Sequence, residues 1–122
     1  MYFVQIEDSF EAAHHLRDYQ GKCANIHGHN FKVKVELKAA VLDELGMVED
    51  FIILEEKLKE VTDKLDHHLL NEVPPFDKIN PTAERLAEYI FRELTKTYQD
   101  GVQVSRVQVF ENDRYVATVM DD

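Results

Sequence analysis

The stretch Cys23-Ala24-Asn25-Ile26-His27-Gly28-His29-Asn30-Phe31 puts one thiol and two imidazoles close together. His27 and His29 are two apart, which on a strand turns both rings to one face. Same-face histidines commonly supply two of the three protein ligands of a catalytic zinc, whose fourth position stays open to water or substrate. Gly28 between them carries no side chain and lets backbone or a ligand come close. A third imidazole is needed. All six histidines are grouped, as His14-His15, His27 with His29, and His67-His68. His14 shares its alternation with Phe10 and Ala12, whereas His15 falls on the side of Glu11. If residues 2–14 and the strand starting at His27 form an antiparallel hairpin, His14 arrives beside His27 and His29. A buried histidine bonded to backbone is the bland reading of His14, and the neighbouring His-x-His pair favours a ligand. His15 is expected to be exposed.

Three further groups have chemistry to offer. Cys23 is the only cysteine, so no internal disulfide forms. It reads as a small buried hydrophobe, as a thiol whose pKa is lowered by metal and imidazoles so that it acts as a base, or as a fourth ligand that closes the site. The spacing leaves all three open. Asp66-His67 reads as an acid–base relay in which the carboxylate sets the imidazole tautomer, or as a helix end where the dipole favours histidine. Glu111 follows the alternation of Val107 and Val109. It either receives two adjacent N–H donors of a ligand or lies at an exposed strand end.

The positioning elements follow from periodicity. Residues 2–14 alternate, with Asp8 as the exception, and residues from His27 to Lys38 alternate again. The span 16–28 holds two glycines and reads as a loop, and 42–46 as a turn. Phe51, Leu54, Leu58, Val61 and Leu65 give a helix over 49–66, with Asp50 as its N-cap. Residues 71–81 hold all three prolines and form a connector. Leu86, Ile90 and Leu94 mark a second helix over 81–98, started by Pro81 or Thr82. Residues 102–111 and 114–120 are strands joined at Asn112-Asp113 as a hairpin. The order ββααββ predicts an α+β fold: a four-stranded antiparallel sheet with two helices on one face, in a single domain covering 1–122. The open sheet edges suggest self-association.

Bulk properties narrow the function. The chain of 122 residues is 44% apolar and 31% charged, a globular balance. No apolar run could span a membrane. The N-terminus carries acids and lacks a basic region, so a signal peptide is not expected and a cytoplasmic protein is. The net charge is −10, from 24 acids against 14 bases, which argues against nucleic acid as a partner.

Taken in order, FEAAHHL (10–16), CANIHGHNF (23–31), GMVEDF (46–51), LDHHLLN (65–71), NPTAERLAEYI (80–90) and VFE (109–111) resemble the 6-pyruvoyltetrahydropterin synthase / 6-carboxytetrahydropterin synthase family over nearly the whole chain. The resemblance implies the tunnelling fold, with subunits joining their sheets into a barrel, as a hexamer built from a dimer of trimers. It implies Zn²⁺ on His14, His27 and His29, Cys23 as a base and not a ligand, and Asp66 with His67 as the acid–base pair. It implies Glu111 as the pterin anchor through two parallel N–H bonds, with Thr82 near the pterin. Cys-x3-His-Gly-His resembles the 6-carboxytetrahydropterin synthase branch, a zinc lyase that converts 7,8-dihydroneopterin triphosphate to 6-carboxy-5,6,7,8-tetrahydropterin, triphosphate and acetaldehyde in queuosine and deazapurine biosynthesis. The alternatives are 6-pyruvoyltetrahydropterin formation by triphosphate elimination and a non-catalytic zinc- or pterin-binding protein. A further branch uses a glutamate near this cysteine, and none occurs in 23–29. A triphosphate meeting so acidic a chain needs local positive charge, for which Arg17, Lys22, Lys32 and Lys34 are candidates.

Overall fold

Alternating apolar and polar residues build two long strands, β1 (Tyr2–His14) and β2 (His27–Ala39), paired antiparallel along their full lengths. The computed structural model describes residues 1–121. The chain continues through α1 (Phe51–Thr62), α2 (Ala83–Thr95), β3 (Val102–Phe110) and β4 (Val116–Met120). The sheet order is β1-β2-β3-β4, all antiparallel. This is the expected ββααββ architecture.

One face of the sheet is apolar because the strand period is two. Phe10, Phe31, Val33, Val35, Leu37, Val107 and Val109 are buried there against Leu54 and Leu58 of α1 and Leu86, Ile90 and Leu94 of α2. The helices begin where side chains accept orphan amides: Asp50 Oδ1 from Ile52 N–H at 2.8 Å, and Thr82 Oγ1 from Arg85 N–H at 3.1 Å. Such a cap stabilises a helix by about 1 kcal/mol.

Four details differ from the sequence reading. Helix α1 ends at Thr62 rather than Asp66, and the chain then turns so that Leu65 still reaches the core. Phe51 opens the helix but is 54% exposed, outside the core stripe. The β3–β4 link runs over residues 111–115 and is not a two-residue turn. The Asn112 side chain accepts from the amides of Arg114 at 2.8 Å and Tyr115 at 3.0 Å, which organises a longer loop. His15 is half-buried, not exposed.

Candidate metal centre

The hairpin register decides which side chains meet. Phe10 lies opposite Phe31, Ala12 opposite His29, and His14 opposite His27. The Phe10 and Phe31 rings stack with centroids 5.0 Å apart. Beyond this floor the rings of His14 and His27 approach to 4.6 Å, His27 and His29 to 4.9 Å, and His14 and His29 to 5.2 Å. One nitrogen from each of the three lies within 4.8 Å of the others. Strand parity thus brings His14, His27 and His29 together.

The tautomers are set by backbone. His14 Nδ1 bonds the Pro81 carbonyl at 2.7 Å, and His27 Nδ1 bonds the Asn25 carbonyl at 2.7 Å. A carbonyl only accepts, so both Nδ1 atoms carry the proton and both Nε2 atoms present a lone pair. Nε2 of His14 and Nε2 of His29 are buried with no hydrogen-bond partner. A buried polar atom left unpaired costs about 1–3 kcal/mol. A metal ion satisfies such an atom, and the second ring nitrogen held by a carbonyl is the usual arrangement behind metal-bound histidine. The donor set therefore fits a divalent metal, and three imidazoles are the set of an open catalytic zinc site.

Electrostatics favour neutral rings. Burial pushes the His14 pKa below the ordinary value, opposed by the Pro81 hydrogen bond and the Glu111 carboxylate and reinforced by His27 and His29. Burial also lowers His29, against the pull of Glu111 and with the push of His27. Neutral imidazoles are the form that ligates. Glu111 itself stands just past β3, half-buried, in a cleft of about 250 Å³ with Ala83, Glu84 and Tyr115.

Thr82 follows Pro81 directly, and its hydroxyl oxygen is engaged in capping α2. Cys23 sits half-buried in a short 3-10 turn, Lys22–Ala24, and is absent from the three-nitrogen cluster. Its carbonyl accepts from Leu16 N–H at 2.8 Å, which folds the loop back to the end of β1.

Asp66 and His67 lie side by side at the edge of β1. Asp66 Oδ1 accepts from the Glu11 amide at 2.9 Å and lies 3.0 Å from His67 Nδ1. The Glu11 N–H, followed by His67, holds the Asp66 carboxyl below its ordinary pKa against some desolvation. His67 has φ of +59°, the left-handed region that few side-chain-bearing residues adopt. Its amide donates to the Glu11 carbonyl at 2.6 Å, which holds it there. The ring is 74% exposed, and Glu11 Oε2 lies 3.6 Å from Nε2. An open cleft beside it is lined by Glu11, Gly28, His29 and His67. Gly28 is not demanded by packing within the chain, since a Cβ there would meet only the Ala12 carbonyl at 3.7 Å.

Arg17 is committed elsewhere. Its guanidinium donates to the carbonyls of Ile79 at 3.1 Å, Asn71 at 3.3 Å and Phe76 at 2.7 Å. Lys32 and Lys34 lie over the Phe110 ring on the helix-free face of the sheet. The sequence reading missed the groups that hold the site, namely the Pro81 carbonyl and the side chains of Asn71 and Asn80. The two asparagines bracketing the proline-rich connector were the signal available.

Fold and site together define an α+β protein with a three-histidine centre suited to one metal ion. Residues 3–122 match the family model described as 6-pyruvoyl tetrahydropterin synthase, and the chain belongs to that family. It is 44% identical over 110 residues to an Archaeoglobus fulgidus protein named provisionally as a 6-carboxy-5,6,7,8-tetrahydropterin synthase, covering 90% of this chain and 88% of the relative. A Synechocystis protein named 6-carboxy-5,6,7,8-tetrahydropterin synthase is 37% identical over 116 residues, covering 91% and 87%. The structure of Caenorhabditis elegans 6-pyruvoyl tetrahydropterin synthase superposes with a TM-score of 0.82 at 31% identity, covering 100% of this chain and 98% of that one.

Proposed function

We propose that this chain is a zinc-dependent 6-carboxy-5,6,7,8-tetrahydropterin synthase, a lyase that takes 7,8-dihydroneopterin triphosphate and releases triphosphate and acetaldehyde, in the route to queuosine and related deazapurines. The observation that carries the reading is the meeting of three imidazoles whose unpartnered Nε2 atoms include two that are buried. The names of the relatives supply the product, a 6-carboxylated tetrahydropterin.

His14, His27 and His29 hold the zinc. When bound, zinc supplies a Lewis acid toward the hydroxyls of the substrate side chain. Cys23 takes a proton as general base, and His67, its Nδ1 3.0 Å from Asp66 Oδ1, moves the second one. Glu111 accepts two N–H bonds from the amino-pyrimidine edge of the pterin, with Thr82 close by. Arg17 already donates to three backbone carbonyls, which favours Lys22, Lys32 and Lys34 for the triphosphate.

The functional unit is a hexamer, a dimer of trimers, of one tunnelling-fold domain spanning 1–122. The cleft at Glu111, about 250 Å³, is smaller than the roughly 300–1,000 Å³ that encloses a small molecule. A second subunit closing over it supplies the missing wall. The protein works in the cytoplasm, consistent with the absence of any described helix long and apolar enough to cross a membrane.

Incubation with 7,8-dihydroneopterin triphosphate tests the proposal. Acetaldehyde and a 6-carboxylated tetrahydropterin are the expected products by mass spectrometry. A 6-pyruvoyl product without acetaldehyde would replace this reading with the second one, which the likeness to the Caenorhabditis elegans enzyme favours. No turnover by the zinc-loaded protein would sink both.

A further inference from the structure

The connector between the helices runs along the edge of β1 and stays in register beyond the end of the strand. At Glu11 it contributes Asp66 Oδ1 and the His67 amide. At Ala13 it contributes the His68 carbonyl, 3.1 Å from the Ala13 amide, and Leu69 pairs with Ala13 in parallel sense. At His15 and Arg17 the backbone partners are replaced by carboxamides. Asn71 Oδ1 accepts from His15 N–H at 2.9 Å while its Nδ2 donates to His15 C=O at 3.0 Å. Asn80 Oδ1 accepts from Arg17 N–H at 2.8 Å while its Nδ2 donates to Arg17 C=O at 3.1 Å.

Each asparagine thus satisfies both backbone groups of one residue, as a neighbouring strand would. Leu16, between them, points its amide the other way, to the Cys23 carbonyl at 2.8 Å. Asn71 is buried, and Pro81, next to Asn80, provides the carbonyl that orients His14. One seam therefore touches His14, the Cys23 turn, and the Asp66–His67 pair.

We propose that Asn71 and Asn80 are positioning residues: their carboxamides extend the β1 edge ladder past His14 and fix the metal-binding imidazole and the Cys23 turn in one frame. The inference rests on the metal-site reading above. Neither asparagine belongs to the three-imidazole cluster. Each acts through the backbone of residues 14–17, with the Arg17 guanidinium fastening the connector from the same segment.

The test is titration of metal-free protein with Co²⁺, followed by visible absorption, for the parent, Asn71→Ala, Asn80→Ala and Asn80→Asp, with steady-state kinetics of the zinc-loaded forms. Loss of such outer support typically weakens metal affinity about 10- to 100-fold. Asn80→Ala and Asn71→Ala are expected to bind Co²⁺ at least about 10-fold more weakly, with an altered spectrum, and to lose kcat more than KM. Asn80→Asp keeps an acceptor for the Arg17 amide and is expected to fall between parent and Asn80→Ala, so a proposal-relevant reading survives if an alanine variant fails to fold. Val104→Ala, a core substitution on β3 opposite Leu37, at the far end of β2 from His27, is the stability control, expected to melt lower with unchanged Co²⁺ affinity and spectrum. Parent-like Co²⁺ binding in the asparagine variants overturns the proposal. So does an equal loss of affinity in Val104→Ala. A parent protein that binds no Co²⁺ marks instead the failure of the metal-site reading.

Discussion

His14 Nδ1 donates to the Pro81 carbonyl at 2.7 Å, joining the last residue of β1 to the residue before the cap of α2. The helix start and the metal-facing imidazole are therefore parts of one rigid corner. The bond also leaves His14 Nε2 as an unprotonated acceptor in a buried setting.

Cys23→Ser should separate the thiol from the metal. Cys23 lies outside the three-nitrogen cluster. Elemental analysis is expected to find the same zinc content as in the parent, with turnover down by roughly 10²- to 10⁴-fold, the usual worth of a general base. Zinc lost together with turnover would make Cys23 a ligand.

The metal-free protein should weaken in mild acid. Burial holds His14 and His29 below the ordinary 6.5 in the folded state. Unfolded, they bind protons near 6.5, so between the two values the unfolded chain carries more protons and stability is lost as pH drops. The loss begins as pH drops through 6.5 and levels off below the folded values; above 6.5 these groups give no slope. Asp66, whose folded pKa is lowered from 3.8, adds a separate acid limb below that value. Urea unfolding from about pH 7.5 to 5 reads the histidine effect. A flat profile there would contradict the burial argument.

Much of the site was legible because a strand repeats every two residues. That period put His14, His27 and His29 on one face, and the hairpin register then follows from the apolar residues beneath them. The connector has no such period. Its order comes from Asn71 and Asn80 pairing with backbone far away in sequence, and from a left-handed His67 held by Glu11, none of which alternation reveals. The end of α1 was overestimated for a related reason. Leu65 keeps the helical spacing and the burial, although the chain has already left the helix.

Asp66→Asn should damage turnover more than folding. Its oxygen can still receive the Glu11 amide, but the carboxylate that orients His67 is gone. The expected result is a small change in melting temperature, an unchanged zinc content and a fall in kcat of roughly 10²-fold or more. A loss of melting temperature in proportion to activity would point to a purely structural Asp66.

Glu111→Gln removes a charged acceptor while keeping the shape of the side chain. Hydrogen bonds to charged groups are worth about 1.5–3 kcal/mol, so KM for the pterin should rise roughly 10- to 100-fold. Zinc should remain bound. Because Glu111 raises the pKa of both His14 and His29, its loss should leave the onset of the acid limb of the metal-free protein at 6.5, carry the limb further down in pH and enlarge the stability lost. Unchanged KM would remove Glu111 from the pterin site.

The connector covers only part of the β1 edge. Backbone groups of Glu11 and Ala13 are engaged by residues 66–69, but among the described residues no such neighbour lies beside Phe3, Gln5 or Glu7. At the other edge, β4 is just five residues long. Any strand added at this edge would therefore find free backbone along the first half of β1 alone. The asparagine seam would then double as a stop, setting how far an added strand could slide toward His14.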